Sequence, residues 1–182
     1  LTALVLPMVR AGLCKDRLTE AFERFGRVPI VKKTETVPAE HPIFHLREEE
    51  VWWASGGLLH DGHGRVLLLR HVPAKGWGEV WLTPGGKLDE GETVLHGFER
   101  EVLEEVGVRI AEPVLTKIIQ QNLTDGPRVR HGYFAQFLAR VGSAAAHPGP
   151  DVLEVRWFDR LPKEMAFRRD YVEDFRRIAP SR

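Results

Sequence analysis

A single cysteine, Cys14, stands in 182 residues. One thiol excludes an internal disulfide framework and a multi-thiolate metal centre, and leaves an ordinary cysteine in a reducing cytoplasm as the expectation. Net charge is missing as well. The 26 Lys and Arg balance the 26 Asp and Glu, so no overall field draws the chain to nucleic acid or to anionic lipid. The mildly apolar start, Leu1 to Leu13, lacks leading basic residues and is broken by Pro7 and Arg10, so it fits neither a secretory signal nor a membrane span. Internal repeats and low-complexity segments are absent too. What remains is a soluble globular chain, 43% hydrophobic, enough for one substantial core with an added segment.

What the chain has in concentration is carboxylates and glycines from Gly86 to Val108, GKLDEGETVLHGFEREVLEEVGV. The spacing predicts a helix over Thr93 to Val106, and Glu101, Glu104 and Glu105, at i, i+3 and i+4, then share one face. Like charges so placed cost an isolated helix a few tenths of a kcal/mol per pair. Three on one turn point to a counter-ion, and oxygen-only ligands suit Mg²⁺ or Mn²⁺. Leu95, Phe98, Val102 and Val106 form an apolar face beside the carboxylates, so one side of the helix docks and the other is free for chemistry. Gly107 sits where a left-handed residue usually ends a helix. A solvated acidic face is the bland reading of Glu104-Glu105 with Glu101 alone; Gly86, Glu92, Arg100 and Gly107 around them favour the metal site.

Gly86, five residues, Glu92, seven residues, Arg100-Glu101, an aliphatic, any residue, Glu104-Glu105, any residue, Gly107 and an aliphatic resembles the Nudix box of the Nudix hydrolases at every defined position. The resemblance implies an α/β fold, an α/β/α sandwich with a mixed β-sheet. It implies hydrolysis, dependent on Mg²⁺ or Mn²⁺, of a nucleoside diphosphate linked to another group. It adds the Gly86 carbonyl to Glu101, Glu104 and Glu105 as a metal ligand, and gives Arg100 and Glu92 the task of orienting a carboxylate. The proton acceptor for water is drawn from Glu104, Glu105 or a downstream carboxylate, with Asp125, Asp151 and Glu154 as candidates.

Away from the box, Leu18, Phe22 and Phe25 predict a short amphipathic helix ending near Gly26, and Pro29, Pro38 and Pro42 an extended crossing segment. Residues 1–47 are therefore expected as an N-terminal helical and extended segment, packed on the sandwich or on a second copy in a homodimer, and residues 48–182 as the Nudix domain. Val51 to Ala54 and Val66 to Leu69 read as strands around the turn Asp61-Gly62-His63-Gly64. His71 to Glu79 reads first as a surface loop and second as a substrate contact through Lys75 and Trp77, with Trp77 the best base-stacking candidate. Val114 to Leu123 and Val129 to Val141 read as strands joined by Thr124 to Pro127. Arg128, Arg130 and His131 then form a basic cluster that either grips phosphate or alternates on a solvated strand face. Val152 to Phe158 predicts a last strand, and Arg168 to Ile178 a closing helix with Tyr171, Val172 and Phe175 inside.

Family members for ADP-ribose often carry a proline beyond the box, and those for dinucleoside polyphosphates a tyrosine; Leu123, Thr124 and Asp125 stand there instead. The preferred substrate is therefore a nucleoside triphosphate cut to monophosphate and pyrophosphate, with a nucleotide sugar second. A non-catalytic nucleotide-binding module or a diphosphate isomerase on the same fold is the alternative. The unsubstituted box, and the position of Cys14 outside the sandwich region, count against both.

Overall fold

A computed structural model describes residues 14–37, 39, 41–47, 51–142 and 145–178; the readings of Leu1 to Leu13 and of Pro38 lie outside the described residues. Val66, Leu67, Leu68 and Leu69 set out the architecture in four positions. Successive side chains of a strand point to opposite faces, yet all four are buried. Leu67 and Leu69 join one core and Val66 and Leu68 a second. A strand buried on both sides belongs to the middle layer of a sandwich.

That layer is a seven-stranded mixed sheet. Its strands are β1 (Ile30–Thr36), β2 (Trp52–His60), β3 (Val66–His71), β4 (Gly85–Lys87), β5 (Ile110–Thr124), β6 (Val129–Val141) and β7 (Val152–Phe158). The order is β1-β5-β6-β2-β3-β7, with β4 paired to β2. β1 with β5 and β6 with β2 run parallel, and the remaining pairs antiparallel.

Two helices, α1 (Cys14–Phe25) and α2 (Val94–Val106), contribute to the first core. The α2 face expected to dock does so: Leu95, Phe98, Val102 and Val106 are buried, and the Phe98 ring stacks on Phe137 with centroids 5.1 Å apart. Thr93 caps α2 by accepting the His96 N–H at 3.2 Å, and Gly107 ends it in the left-handed region at φ 69°. On the opposite face, a short 3₁₀ turn, Arg168–Tyr171, leads into α3 (Val172–Ile178). Tyr171 is buried in the second core, and Val172 and Phe175 pack against it. The α/β/α sandwich expected from the sequence is thus what the chain forms. Among the described residues, no helix is long and apolar enough to cross a membrane.

Three elements differ from the sequence reading. The segment after Pro29 is not merely extended: Ile30–Thr36 is an edge strand in parallel register with β5, from Ile30 opposite Ile118 to Thr36 opposite Thr124. Its polar composition hid it, because an edge strand need not bury both faces. β5 begins at Ile110 rather than Val114, since the turn-like Glu112-Pro113 is absorbed as a bulge with Glu112 at φ 51°. β2 continues through Gly56 and Gly57 to His60, because a Cβ at Gly57 would fall 2.0 Å from the Phe137 carbonyl oxygen of β6. Glycine there serves close strand approach rather than a turn.

Candidate active site

The three-residue strand β4 delivers the start of the box to the carboxylates of α2. Gly85, at φ 153°, lies so close to β2 that a Cβ would come within 2.5 Å of Gly56 Cα. At Gly86 a Cβ would stand 2.5 Å from Glu101 Oε1. Only a glycine lets the carboxylate lie against the backbone at this point.

Arg100 is the hub of the site. Its Nε donates to Glu92 Oε1 at 2.9 Å and its Nη2 to Glu92 Oε2 at 3.0 Å, a two-point pair. Nη1 donates to Glu101 Oε1 at 2.8 Å and to Glu104 Oε2 at 3.3 Å, and Nη2 also reaches the Lys87 carbonyl at 3.0 Å. Glu92 Oε2 further accepts the Asp89 N–H at 2.8 Å. Burial alone would raise the Glu92 pKa, but the hydrogen bonds from Arg100 and Asp89 outweigh it and hold the carboxyl below its ordinary range. At Glu101 the balance reverses: burial dominates, and the Arg100 contact does not fully compensate, so its pKa is raised.

Glu105 is the most enclosed of the three, at 9% exposure. Its Oε2 accepts the Gly85 N–H at 2.9 Å, and its Oε1 faces His71 Nε2 at 3.3 Å. Burial pushes this carboxyl up to about 8; the Gly85 bond opposes the shift and the charge of Glu101 adds to it. His71 Nδ1 lies 3.1 Å from the Asp151 carbonyl. A carbonyl only accepts, so Nδ1 carries the hydrogen, and a neutral ring turns the lone pair of Nε2 toward Glu105. Burial lowers the His71 pKa, which agrees with a neutral imidazole beside a protonated carboxyl.

Gly85, Gly86 and Lys87 border a cavity of about 530 Å³. Trp52, Ala54, Leu82, Ile119 and Phe134 supply apolar wall. Trp77 and Phe167, 41% and 42% exposed, also line it, and their rings meet edge to face at 6.0 Å.

The structure brings Gly86, Glu92, Arg100, Glu101 and Glu104 into one hydrogen-bonded or packed group, with Glu105 beside them, and puts Trp77 on the cavity wall. Lys75 is elsewhere: its Nζ pairs with Asp151 Oδ2 at 2.7 Å, on the side of His71 and Glu105. Arg128 and Arg130 are not on the cavity lining. Arg128 closes the β5–β6 turn, paired to Asp125 Oδ2 at 2.5 Å, donating to the Ala39 carbonyl at 2.9 Å and lying over the Phe44 ring at 4.2 Å. Arg130 Nη1 reaches the Val129 carbonyl at 3.3 Å, and His131 Nδ1 meets Asn122 Oδ1 at 2.9 Å. Of the downstream carboxylates, Asp125 is held by Arg128 and Glu154 by Arg156 at 2.5 Å, while Asp151 lies in the loop that packs on the end of α2.

Sequence reasoning missed Arg17. From α1, at 3% exposure, it donates to the carbonyls of Asp89 at 2.9 Å and Glu92 at 3.2 Å, and so props the loop that carries Glu92. The available signal was its position four residues before Ala21, on the buried side of an amphipathic helix. His71 was also missed, since a histidine at a strand end carries no pattern.

The donor chemistry fits a hard divalent cation: Glu101, Glu104 and Glu105 offer carboxylate oxygens from one helix, and Glu101 lies against a backbone that admits no side chain at Gly86. Burying Glu101 and Glu105 in ionised form calls for a positive partner. Among the described residues, no three His, Cys, Asp or Glu side chains are already closed around one point; Arg100 lies between Glu101 and Glu104.

A NUDIX domain model matches residues 52–175. The 8-oxo-dGDP phosphatase NUDT18 of Danio rerio is 26% identical over 113 residues, covering 62% of this chain and 33% of that protein. The 8-oxo-dGTP diphosphatase of Proteus vulgaris is 28% identical over 71 residues, 39% of this chain and 63% of the relative. The chain thus spans only part of the length of these relatives. Among solved structures, the MutT NUDIX hydrolase from Burkholderia pseudomallei superposes with a TM-score of 0.57 at 24% identity, covering 68% of this chain and 97% of that one. That likeness concerns the fold.

Proposed function

Because the chain belongs to the Nudix family, we propose that it is a divalent-cation-dependent pyrophosphohydrolase that cleaves a diphosphate bond in a nucleoside di- or triphosphate. One observation carries this reading: Arg100 gathers Glu92, Glu101 and Glu104 beside Gly86 at the edge of a cavity of about 530 Å³. That volume falls within the range of small-molecule sites, about 300–1,000 Å³. The relatives named as acting on 8-oxo-dGDP and 8-oxo-dGTP favour a nucleoside phosphate over a nucleotide sugar.

Glu101, Glu104, Glu105 and the Gly86 carbonyl would hold Mg²⁺ or Mn²⁺. Such an ion, when bound, neutralises phosphate charge and lowers the pKa of an attacking water. The residues themselves have separate tasks. Arg100 spans Glu92 and Glu101, so the helix carboxylates keep their orientation when charge in the site changes. Arg17 holds the Glu92 loop from outside, and the Asp89 N–H braces the Glu92 carboxylate within it. Glu104, with 60% of its side chain exposed, is open to solvent water, whereas Glu105 is closed in beside His71. Trp77 and Phe167 offer aromatic surface to a base.

Turnover of a panel of nucleoside di- and triphosphates and nucleotide sugars, with Mg²⁺ in isotopically labelled water, tests this reading. Release of nucleoside monophosphate from a nucleoside di- or triphosphate supports it. Inert nucleotides alongside rapid turnover of a non-nucleotide diphosphate would overturn it.

A further inference from the structure

The last turn of α2 carries two of the three carboxylates, Glu104 and Glu105, and a loop closes over its end. The Gly149 N–H donates to the Glu105 carbonyl at 2.9 Å and the His147 N–H to the Val106 carbonyl at 3.1 Å. Carbonyls that a helix terminus otherwise leaves to water are held here by protein. The approach is close: a Cβ at Gly149 would stand 1.9 Å from the Glu104 carbonyl oxygen and 3.3 Å from Glu105 Cα. Gly149 is not at positive φ, so glycine serves space here, not backbone conformation. The His147 ring covers Gly107, where a Cβ would fall 2.2 Å from Nε2. Pro148 and Pro150 flank Gly149, and their fixed φ stiffens the loop.

The far end of the loop is tied to the end of β3. The Asp151 carbonyl accepts the Val72 N–H at 3.0 Å as well as His71 Nδ1–H at 3.1 Å, and Lys75 Nζ holds the Asp151 carboxylate at 2.7 Å. The Val152 N–H donates to the Gly149 carbonyl at 3.1 Å. His71 Nε2 then returns to Glu105 Oε1 at 3.3 Å. One loop thus reaches Glu105 twice, at its main chain through Gly149 and at its carboxyl through His71.

We propose that Gly149 is a positioning residue of the cation site: residues 147–151 form a backbone clamp that keeps Glu104 and Glu105 at the spacing from Glu101 and Gly86 that a single divalent cation requires. This rests on the cation-dependent reading above. Like charges three and four residues apart repel, and helix ends open more readily than helix centres, so an unclamped last turn would splay its carboxylates. A methyl group added at Gly149 must retreat from 1.9 Å to at least 3.4 Å from the Glu104 oxygen to regain ordinary contact. Constellations of this kind tolerate displacements of about 0.5 Å, and a misplacement of about 1 Å can lower a rate about a hundredfold.

The test is Gly149→Ala in the whole chain, checked for folding by circular dichroism. Mn²⁺ binding without nucleotide, read by electron paramagnetic resonance, is expected to weaken by about fivefold or more. With Mg²⁺ saturating, kcat should fall by about tenfold or more while KM changes by less than about threefold. A folded variant that melts earlier but binds Mn²⁺ as the wild type does would limit Gly149 to stability and overturn the inference. If the variant does not fold, amide exchange in the wild-type chain decides. By reciprocity of coupled equilibria, Mg²⁺ should slow exchange at Gly149 and His147 by at least about threefold more than at Gly26, whose N–H is held by the Phe22 carbonyl at the end of α1. Equal slowing at all three amides, or none, would overturn the inference. Tight Mn²⁺ binding with no nucleotide turnover would overturn the proposed substrate and leave the clamp standing, whereas a wild-type chain that binds neither Mn²⁺ nor Mg²⁺ would overturn both.

Discussion

Arg100 and Glu92 are joined at two points, Nε to Oε1 at 2.9 Å and Nη2 to Oε2 at 3.0 Å, across the loop that leads into α2. A lysine keeps the charge but cannot supply the fork. Arg100→Lys is therefore expected to cost about 1–3 kcal/mol of stability, because a partly buried carboxylate loses charge-assisted bonds. Turnover should fall further than the stability loss explains, since Glu101 loses its guide as well. Denaturant unfolding and kcat/KM on the same preparation check this; unchanged values in both would show that the pair is ornamental.

Arg17 lies outside the box yet holds two of its backbone carbonyls. Arg17→Met keeps much of the buried stem and removes the donors. We expect a stability loss of about 1–3 kcal/mol, the penalty for leaving polar groups unpaired. The Mg²⁺ concentration for half-maximal activity should also rise, because the Asp89 to Glu92 loop loosens. A melting curve and an Mg²⁺ titration read the two effects separately. A lower melting temperature with an unchanged Mg²⁺ requirement would limit Arg17 to stability.

The Glu105 carboxyl is pushed up to about 8 by burial. A raised folded-state value favours the protonated form, so this group's contribution to stability is full below its unfolded pKa, about 4.5. It declines as pH climbs and is gone above about 8. The cation-free protein should therefore melt at a lower temperature at pH 9 than at pH 5. Glu105→Gln should flatten that dependence, and Mg²⁺ should raise the wild-type melting temperature most at the alkaline end. A wild-type slope retained in the Gln variant would assign the titration to another group.

The site was legible in the sequence where local spacing determined it. Glu101, Glu104 and Glu105 share a helix face by periodicity alone, and Leu95, Phe98, Val102 and Val106 dock for the same reason. What spacing does not encode is which distant elements meet. Ile30 and Val31 are 48% and 44% exposed on β1, so that strand lacks the buried alternation that betrays a strand in sequence. Arg17 and Glu92 lie 75 residues apart. Arg128 looked like a phosphate ligand because its charge was visible, while its partners Asp125, Phe44 and the Ala39 carbonyl are assembled only by the fold. Phe167, held at φ 53° on the cavity wall, gave no pattern at all.

The central claim is that the α2 carboxylates hold the cation on which hydrolysis depends. It is tested most directly by nucleoside triphosphate turnover in chelator-treated wild-type protein and in Glu101→Gln, each titrated with Mg²⁺ and monitored for folding. The wild-type chain should be inactive without the cation and recover on titration. Glu101→Gln should lose turnover by on the order of tens- to thousands-fold, the range for one strong electrostatic contributor to a charged transition state. Wild-type turnover that persists in excess chelator, or a folded Glu101→Gln variant with undiminished activity, would contradict the account.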